Sequence, residues 1–387
     1  MEFKLTEDQE AMRDAVRRMV EREIDPVLEK HDRTRALPKE AFVGIFEILA
    51  DMGLTAPRIP EDAGGSSLKM LDYGLMFEQI PPSVSMSLVS QDGCITRLYS
   101  EASEEQKARF LPDLIAGRKL GCTGSTEPGT GSDPRGIATR VTRDGDSLVL
   151  NGNKMWITNV SLCDTIIVTC LDRTEDSNST EIVKVVVERG ESPFEAREID
   201  AIGLNQGLLG EVTFQDCRVP MKNLIRSKEG GTQVLKQSWA VNRPLIGLQA
   251  CYLAQKSLDA ALDYAAQRKQ FGKPIAAHQL VQKNLSDIAT AIEASRLLCY
   301  RALDLIDQGL PAAGASAMAK RFAQTSCTQA IWEAMNVLGA MGLSREARLE
   351  EYYRDARMLP IPDGTNEILA LIHGRELTGV EAFRGAR

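Results

Sequence analysis

Histidine and paired cysteine are what this sequence has least of. Three histidines in 387 residues, with no Cys-x-x-Cys among eight scattered cysteines, leave no frame for a structural zinc site. The thiols read instead as buried, reduced spacers, which points to a cytoplasm. No apolar run reaches about 18 residues, so no membrane span is expected. Basic residues number 46 against 54 acidic ones, a net charge of −8 that argues against nucleic-acid binding as the main task. The opening Met1-Glu2-Phe3-Lys4-Leu5-Thr6 runs straight into an acidic helical pattern and does not read as a secretory signal. What remains is an ordinary globular composition, long enough for two or three structural units around a large core.

The pattern along the chain is helix, strand, helix. Thr6 with Gln9 fits a capping box, and Met12, Val16, Met19, Val20 and Ile24 recur at helical spacing until Pro26 interrupts. Helical spacing continues through Ala41–Met52, Met70–Glu78 and Glu104–Ala116. From Gly121 the character changes to short β-rich runs: Ser147–Leu150, Thr165–Cys170, Ile182–Val187 and Glu211–Phe214. Asp144-Gly145 and Asn151-Gly152 read as turns flanking the first run, and Asp172–Thr180 as an exposed loop. Helical stripes return after Gly231, with Leu258, Ala261, Leu262 and Ala265 on one and Leu285, Ile288 and Ile292 on another. The expected fold is mostly α with a central β domain. Residues 1–120 form a helical domain, 121–230 a β-barrel-like middle domain and 231–387 a four-helix bundle.

Four blocks carry chemistry. In Thr126-Glu127-Pro128-Gly129-Thr130-Gly131-Ser132-Asp133, two glycines let backbone N–H groups approach a ligand, and Thr126 and Ser132 supply hydroxyls. By itself such a loop is equally an ordinary connection. In Lys154-Met155-Trp156-Ile157-Thr158-Asn159, the indole suits either the core or the face of a flat ring system. Arg268-Lys269-Gln270-Phe271-Gly272-Lys273-Pro274, followed by His278-Gln279, reads as a basic turn between two helices. Near the C-terminus, Pro362-Asp363-Gly364 places one carboxylate on a tight turn.

In order and spacing these blocks resemble the acyl-CoA dehydrogenase family of flavoproteins, over essentially the whole chain to Arg375. The resemblance implies FAD as cofactor. Ser125 and Thr126 would bond the flavin pyrimidine edge, Trp156 would cover the ring face, Thr158 would lie near N5, and Ser132 would lie near both ligands. Arg268 would reach across a subunit interface to the FAD pyrophosphate of a neighbouring copy, with Gln270, Phe271 and Gln279 along its ADP part. The family pattern thus implies a homo-oligomer, usually a dimer of dimers. Asn336 and Gly339, in Asn336-Val337-Leu338-Gly339-Ala340, match the segment at the adenosine end, where Asn336 and Ala340 depart from the usual Gln and Gly. Thr365 and Glu367, just after the turn, fall among the implied cofactor contacts. Arg243 and Arg375 match positions near the CoA nucleotide, or else form surface ion pairs.

The family's base removes the α-proton of the thioester as a hydride leaves the β-carbon for the flavin. Most members carry glutamate after tyrosine at that position; this chain has Asp363 after Pro362. Another position used for the base in some members is Asn242 here, which cannot take a proton. Asp363 is therefore the candidate base. Its side chain is one methylene shorter, and a misplacement of ~1 Å can cost on the order of 100-fold in rate. A substrate seated closer to the turn (bulky, branched or cyclic), altered chemistry, or slow dehydrogenation would each accommodate it. Asp92 falls in the helix that lines the acyl pocket of relatives, as a second base, a recognition group for a polar acyl chain, or a plain helix-end aspartate. The reading is an FAD-dependent acyl-CoA dehydrogenase that passes electrons to an electron-transfer flavoprotein. A flavin-containing CoA-thioester lyase or reductase, and a catalytically silent binding subunit, stand as alternatives.

Overall fold

The computed structural model describes residues 4–133, 136–226 and 231–382. Helix α1 (Glu7–Met19) starts with Thr6 accepting from Gln9 N–H while the Gln9 side chain returns the bond, as the sequence pattern predicts. Pro26 does not end it. A π-helical turn, Val20–Ile24, passes directly into α2 (Asp25–Lys30), where Pro26 lies in the first turn and its missing N–H costs nothing. Helices α3 (Lys39–Asp51), α4 (Met70–Phe77), α5 (Pro82–Glu101) and α6 (Glu104–Ile115) complete the N-terminal part. The apolar faces of α1 to α5 meet in one core around Phe42, Phe46, Tyr73 and Phe77, whereas Phe110, Leu111 and Leu114 of α6 pack against the sheet.

Eight strands follow: β1 (Gly121–Gly124), β2 (Arg140–Asp144), β3 (Ser147–Thr158), β4 (Thr165–Arg173), β5 (Ile182–Glu188), β6 (Glu195–Glu198), β7 (Leu209–Pro220) and β8 (Leu224–Ile225). They form one sheet in the order β6-β7-β3-β2-β4-β5-β8, with β1 parallel to β4. The expected barrel does not close among the described residues, because β6 and β8 stand at opposite ends of that path. Period-two alternation explains how both faces are used. Ile166, Val168 and Cys170 of β4 point into a core within the curled sheet, whereas Ile167 between them packs with α5 and α6.

Asn151-Gly152 is not a turn. It lies inside β3, at a register shift between Leu150 and Gly152. Gly152 has φ 146°, and a Cβ there would sit 2.6 Å from Thr139 Cα and 2.4 Å from its Oγ1. The sequence signal was real, but it marks a bulge rather than a chain reversal.

The C-terminal part is built on three long helices, α7 (Gly231–Gln267), α8 (Gln279–Asp307) and α9 (Ala313–Leu338). A two-stranded hairpin of β9 (Lys269–Gln270) and β10 (Lys273–Pro274) separates the first two. Shorter helices α10 (Leu349–Met358) and α11 (Asn366–Thr378), joined by the Leu359–Thr365 turn, both pack on α9 and complete the bundle. Leu258, Ala261 and Ala265 are buried as expected, but Leu262 of the same stripe is 46% exposed. All eight cysteines are free and buried.

Gly152→Ala combines backbone strain with a clash against main chain, each worth about 1–3 kcal/mol. Its melting temperature should fall by on the order of 5 °C or more. An unchanged thermal transition would mean that the bulge yields freely.

Candidate active site

Asp363 stands in the Leu359–Thr365 turn with φ 53°, the left-handed region where aspartate and asparagine are enriched among non-glycine residues. Gly364 follows at φ 105°. Thr365 then caps α11 by accepting from Ile368 N–H at 3.4 Å. Two buried cations hold the turn by its main chain. Lys320 Nζ, from α9, donates to the carbonyls of Pro362 at 2.5 Å, Gly364 at 2.7 Å and Pro360 at 3.3 Å. Arg243 Nε, from α7, donates to the carbonyl of Asp363 itself at 3.1 Å. The Asp363 N–H has no partner among the described residues. A carboxylate and a free N–H donor are thus presented side by side from a fixed backbone.

Lys320 is fully buried. Burial draws its ammonium down to about 7 from an ordinary 10.5, while the Asp363 carboxylate pulls it up and Arg243 pushes it down. Arg243 is 6% exposed, and burial lowers it too, against the attraction of Asp363. Arg243 therefore sits at the Asp363 turn, its guanidinium packed 5.8 Å from the Trp239 ring.

A second group of candidates lies at the C-terminal ends of β1 and β3. Ser125 Oγ shares a hydrogen bond with Thr169 Oγ1 at 3.2 Å, and the Thr126 carbonyl accepts from Met155 N–H at 3.0 Å. That places the 126–133 loop against β3. The loop is anchored by Glu127, whose carboxylate accepts from Lys154 Nζ at 2.7 Å and from the N–H groups of Ala138 and Thr139 at 2.8 and 3.0 Å. Burial opposes that carboxylate, but Lys154 and the N–H donors outweigh it and hold its pKa below the ordinary value. Ser132 is exposed on the loop. Trp156 takes φ 62° at a second register shift in β3, so its indole is turned out of the core and is 53% exposed. Thr158 accepts at its carbonyl from Ser90 Oγ of α5 at 3.1 Å.

Helix α5 bridges the two sides. Its Ser90 touches Thr158, and its Arg97 feels the charge of Asp363. Asp92, also on α5, is buried and ion-paired with Arg58, with Thr96 Oγ1 donating to it at 3.3 Å. Arg375 lies in the last turn of α11, half exposed and 3.3 Å from Glu381. Glu367 is exposed in the first turn of the same helix.

The remaining candidates are elsewhere. Arg268, Gln270 and Gln279 are exposed around the β9–β10 hairpin, and Phe271 at its tip has φ 52° and 93% exposure. Asn336 is exposed near the end of α9, bonded to Glu333 at 3.2 Å, and Gly339 caps the helix at φ 60°, ψ −131°. Arg243 and Arg268 are 25 residues apart along α7, about 37 Å at the helical rise.

Sequence reasoning passed over Lys320, Ser90, Arg97 and the Glu127–Lys154 pair. Lys320 was detectable in principle: it falls on the same α9 face as Ser316, Ala323 and Cys327, where a lysine has no water to reach.

Comparison with known proteins gives this geometry its family. The acyl-CoA dehydrogenase N-terminal, middle and C-terminal domains match residues 6–118, 122–217 and 229–378. A probable acyl-CoA dehydrogenase of Bacillus subtilis, YngJ, is 33% identical over 383 residues, covering 97% of this chain and 100% of that protein. The solved butyryl-CoA dehydrogenase of Megasphaera elsdenii is similar at TM-score 0.88 and 30% identity, covering 97% and 100% of the two chains. A glutaryl-CoA dehydrogenase of Mycobacterium smegmatis, solved with FADH2, matches at TM-score 0.88 and 27% identity over 98% and 97%. The chain belongs to the acyl-CoA dehydrogenase family and is an FAD-dependent oxidoreductase. The outward indole of Trp156, beside polar groups of Thr126 and Thr158, suits a flat ring with a hydrogen-bonding edge. No helix among the described residues is long and apolar enough to cross a membrane.

The native pKa of Lys320 lies below its unfolded value, so between about pH 7 and 10 the unfolded chain binds the extra proton. Stability from this group therefore grows as pH rises through that window. Thermal melts across it should show the wild type gaining on Lys320→Met by up to about 1 kcal/mol per pH unit. Parallel pH profiles for the two proteins would remove the titration from Lys320.

Proposed function

We propose that this enzyme dehydrogenates an acyl-CoA thioester, with Asp363 taking the α-proton. The observation that carries this reading is the turn at Asp363, clamped by Lys320 and Arg243 through its carbonyls while the Asp363 N–H is left without a partner among the described residues. The α-proton of a thioester is poorly acidic, and its removal needs donors fixed in advance on the carbonyl oxygen where charge develops. The Asp363 N–H is suited to that oxygen while its carboxylate takes the proton. Lys320 and Arg243 both feel the charge of the Asp363 carboxylate, and together they hold the turn that carries it. A base one methylene shorter than glutamate is in keeping with a substrate that sits close to the turn, such as a short, branched or cyclic acyl group.

Ser125, Thr126, Trp156 and Thr158 would hold the flavin ring, with Ser132, Thr365 and Glu367 at its borders. FAD supplies the hydride acceptor. The span of α7 separates Asp363 and Arg243 from Arg268 by more than one dinucleotide can bridge, so the hairpin of each chain would serve the FAD of another copy. The partner subunit's Arg268 then pairs with the pyrophosphate as a fork on two oxygens. The partner subunit's Gln270, Phe271 and Gln279 line the ADP part, and Asn336 and Gly339 meet the adenosine end. An aromatic ring left 93% exposed at the hairpin tip supports such a contact. A tetramer as a dimer of dimers, an electron-transfer flavoprotein as acceptor and a reducing cytoplasm for the eight free thiols complete the reading. Arg375 would meet the CoA nucleotide, as the family pattern implies, whereas Arg243 donates to the Asp363 carbonyl and would hold that turn.

Mixing the purified protein with a suitable acyl-CoA should bleach the flavin band. Asp363→Ala should keep its FAD and lose the bleaching by a factor of about 10³ or more in rate; bleaching retained in that variant would place the base elsewhere. Arg268→Glu sets a carboxylate against the pyrophosphate. It should purify with less than about a tenth of the wild-type flavin per chain, since a charge reversal at a desolvated ion pair costs several kcal/mol. Full flavin content in that variant would detach Arg268 from the cofactor.

A further inference from the structure

We propose that the acyl group accepted here carries a carboxylate at its far end, received by Arg97. This rests on the acyl-thioester reading above and deepens it. Helix α5 is buried around most of its circumference, but Ser83, Met86, Ser90 and Gly93 are less buried and recur at spacings of three and four. They form one stripe that runs toward Arg97, a turn beyond Gly93. Glycine in the middle of a helix costs about 1 kcal/mol relative to alanine. Yet a Cβ at Gly93 would meet no atom within 4 Å. The helix gives up stability there and leaves space open, between the Ser90 that bonds Thr158 and the Arg97 that faces Asp363. Ser90 and Arg97 are two turns apart, about 10 Å, which suits a short chain.

Arg97 itself is 8% exposed, and its Nη1 is wholly buried with no hydrogen-bond partner. Burial draws the guanidinium down, and Glu101, Asp363 and Arg58 are among the charges it feels. Glu101 is bound to Lys184, and Asp92 is bound to Arg58. Close by, Arg58 Nε and the hydroxyl of Tyr73 are also buried without a partner. Among the described residues, the carboxylates that act on Arg97 are Glu101, which is also bound to Lys184, and Asp363. A hydrocarbon tail would leave the buried Nη1 of Arg97 without a partner, which is costly. A carboxylate would pair with the guanidinium as a planar acceptor for its fork. Asp92 is held by Arg58.

The test compares glutaryl-CoA and adipyl-CoA with valeryl-CoA and hexanoyl-CoA, which have the same chain lengths without the terminal carboxylate. Flavin bleaching and turnover are measured on the holoenzyme, in the wild type, Arg97→Met and Arg97→Lys. The wild type should favour the carboxylated thioesters by about tenfold or more in kcat/KM. Arg97→Met should bring that ratio close to one, and Arg97→Lys should restore part of it. Wild-type preference for the uncharged thioesters overturns the proposal, and this comparison stands even if neither variant folds. Equal loss on both kinds of substrate in Arg97→Met also overturns it and assigns Arg97 to supporting the Asp363 turn. If no thioester bleaches the flavin, the dehydrogenation reading itself fails.

Discussion

One ammonium group, Lys320 Nζ, fixes the segment that carries the proposed base. It rises from α9 inside the bundle and takes three carbonyl oxygens from Pro360, Pro362 and Gly364. A turn carrying two consecutive left-handed residues would otherwise sample many shapes. Clamped by a buried cation and by Arg243, it has one. The arrangement trades solvation of a charge for geometry: three main-chain acceptors replace the lysine's water and tie the loop between α10 and α11 to α9.

Polar links of the same kind tie the three parts of the chain together through α5. Gln91 bonds Gly121 N–H at 2.6 Å and the carbonyls of Leu114 and Lys119, so the first strand is pinned to the helix. Asn159 bonds the carbonyls of Ser87 and Gly121, and Gln249 of α7 bonds Ser85 Oγ at 2.9 Å. Hydrophobic contact presses these elements together without specifying their register. Buried side-chain amides do specify it, because each must find its partner or lose about 1–3 kcal/mol. The ends of β1 and β3 are thereby held in one frame with α5 and α7, the helix whose Arg243 bonds the Asp363 turn.

The helix–strand–helix order and the first capping box were legible because they depend on local chemistry and on periodicity. Pro26 and Gly152 were misread because each residue is a breaker only in the wrong setting. One fell in the first turn of a new helix, the other in a bulge shaped by Thr139 on a neighbouring segment. Helix α5 offered no amphipathic stripe, since it is covered on nearly every side. The blocks around Ser125, Trp156, Arg268 and Asp363 could be picked out from residue type and spacing. What could not be read was that Lys320, Arg97 and Lys154 lie inside: in a sequence, a buried charge looks the same as a solvated one until the fold says what surrounds it.

Helix α7 separates its two functional ends by more than the length of a single cofactor. On the proposed sharing, each chain's hairpin belongs to its neighbour's catalytic centre. A chain with a damaged hairpin would then keep its own base and harm only the centre beside it, while a chain with a damaged base would still lend a sound hairpin. In an assembly mixed from the two defective kinds, some centres would draw one intact half from each parent. Two inactive gene products could in that way restore part of the activity that neither has alone.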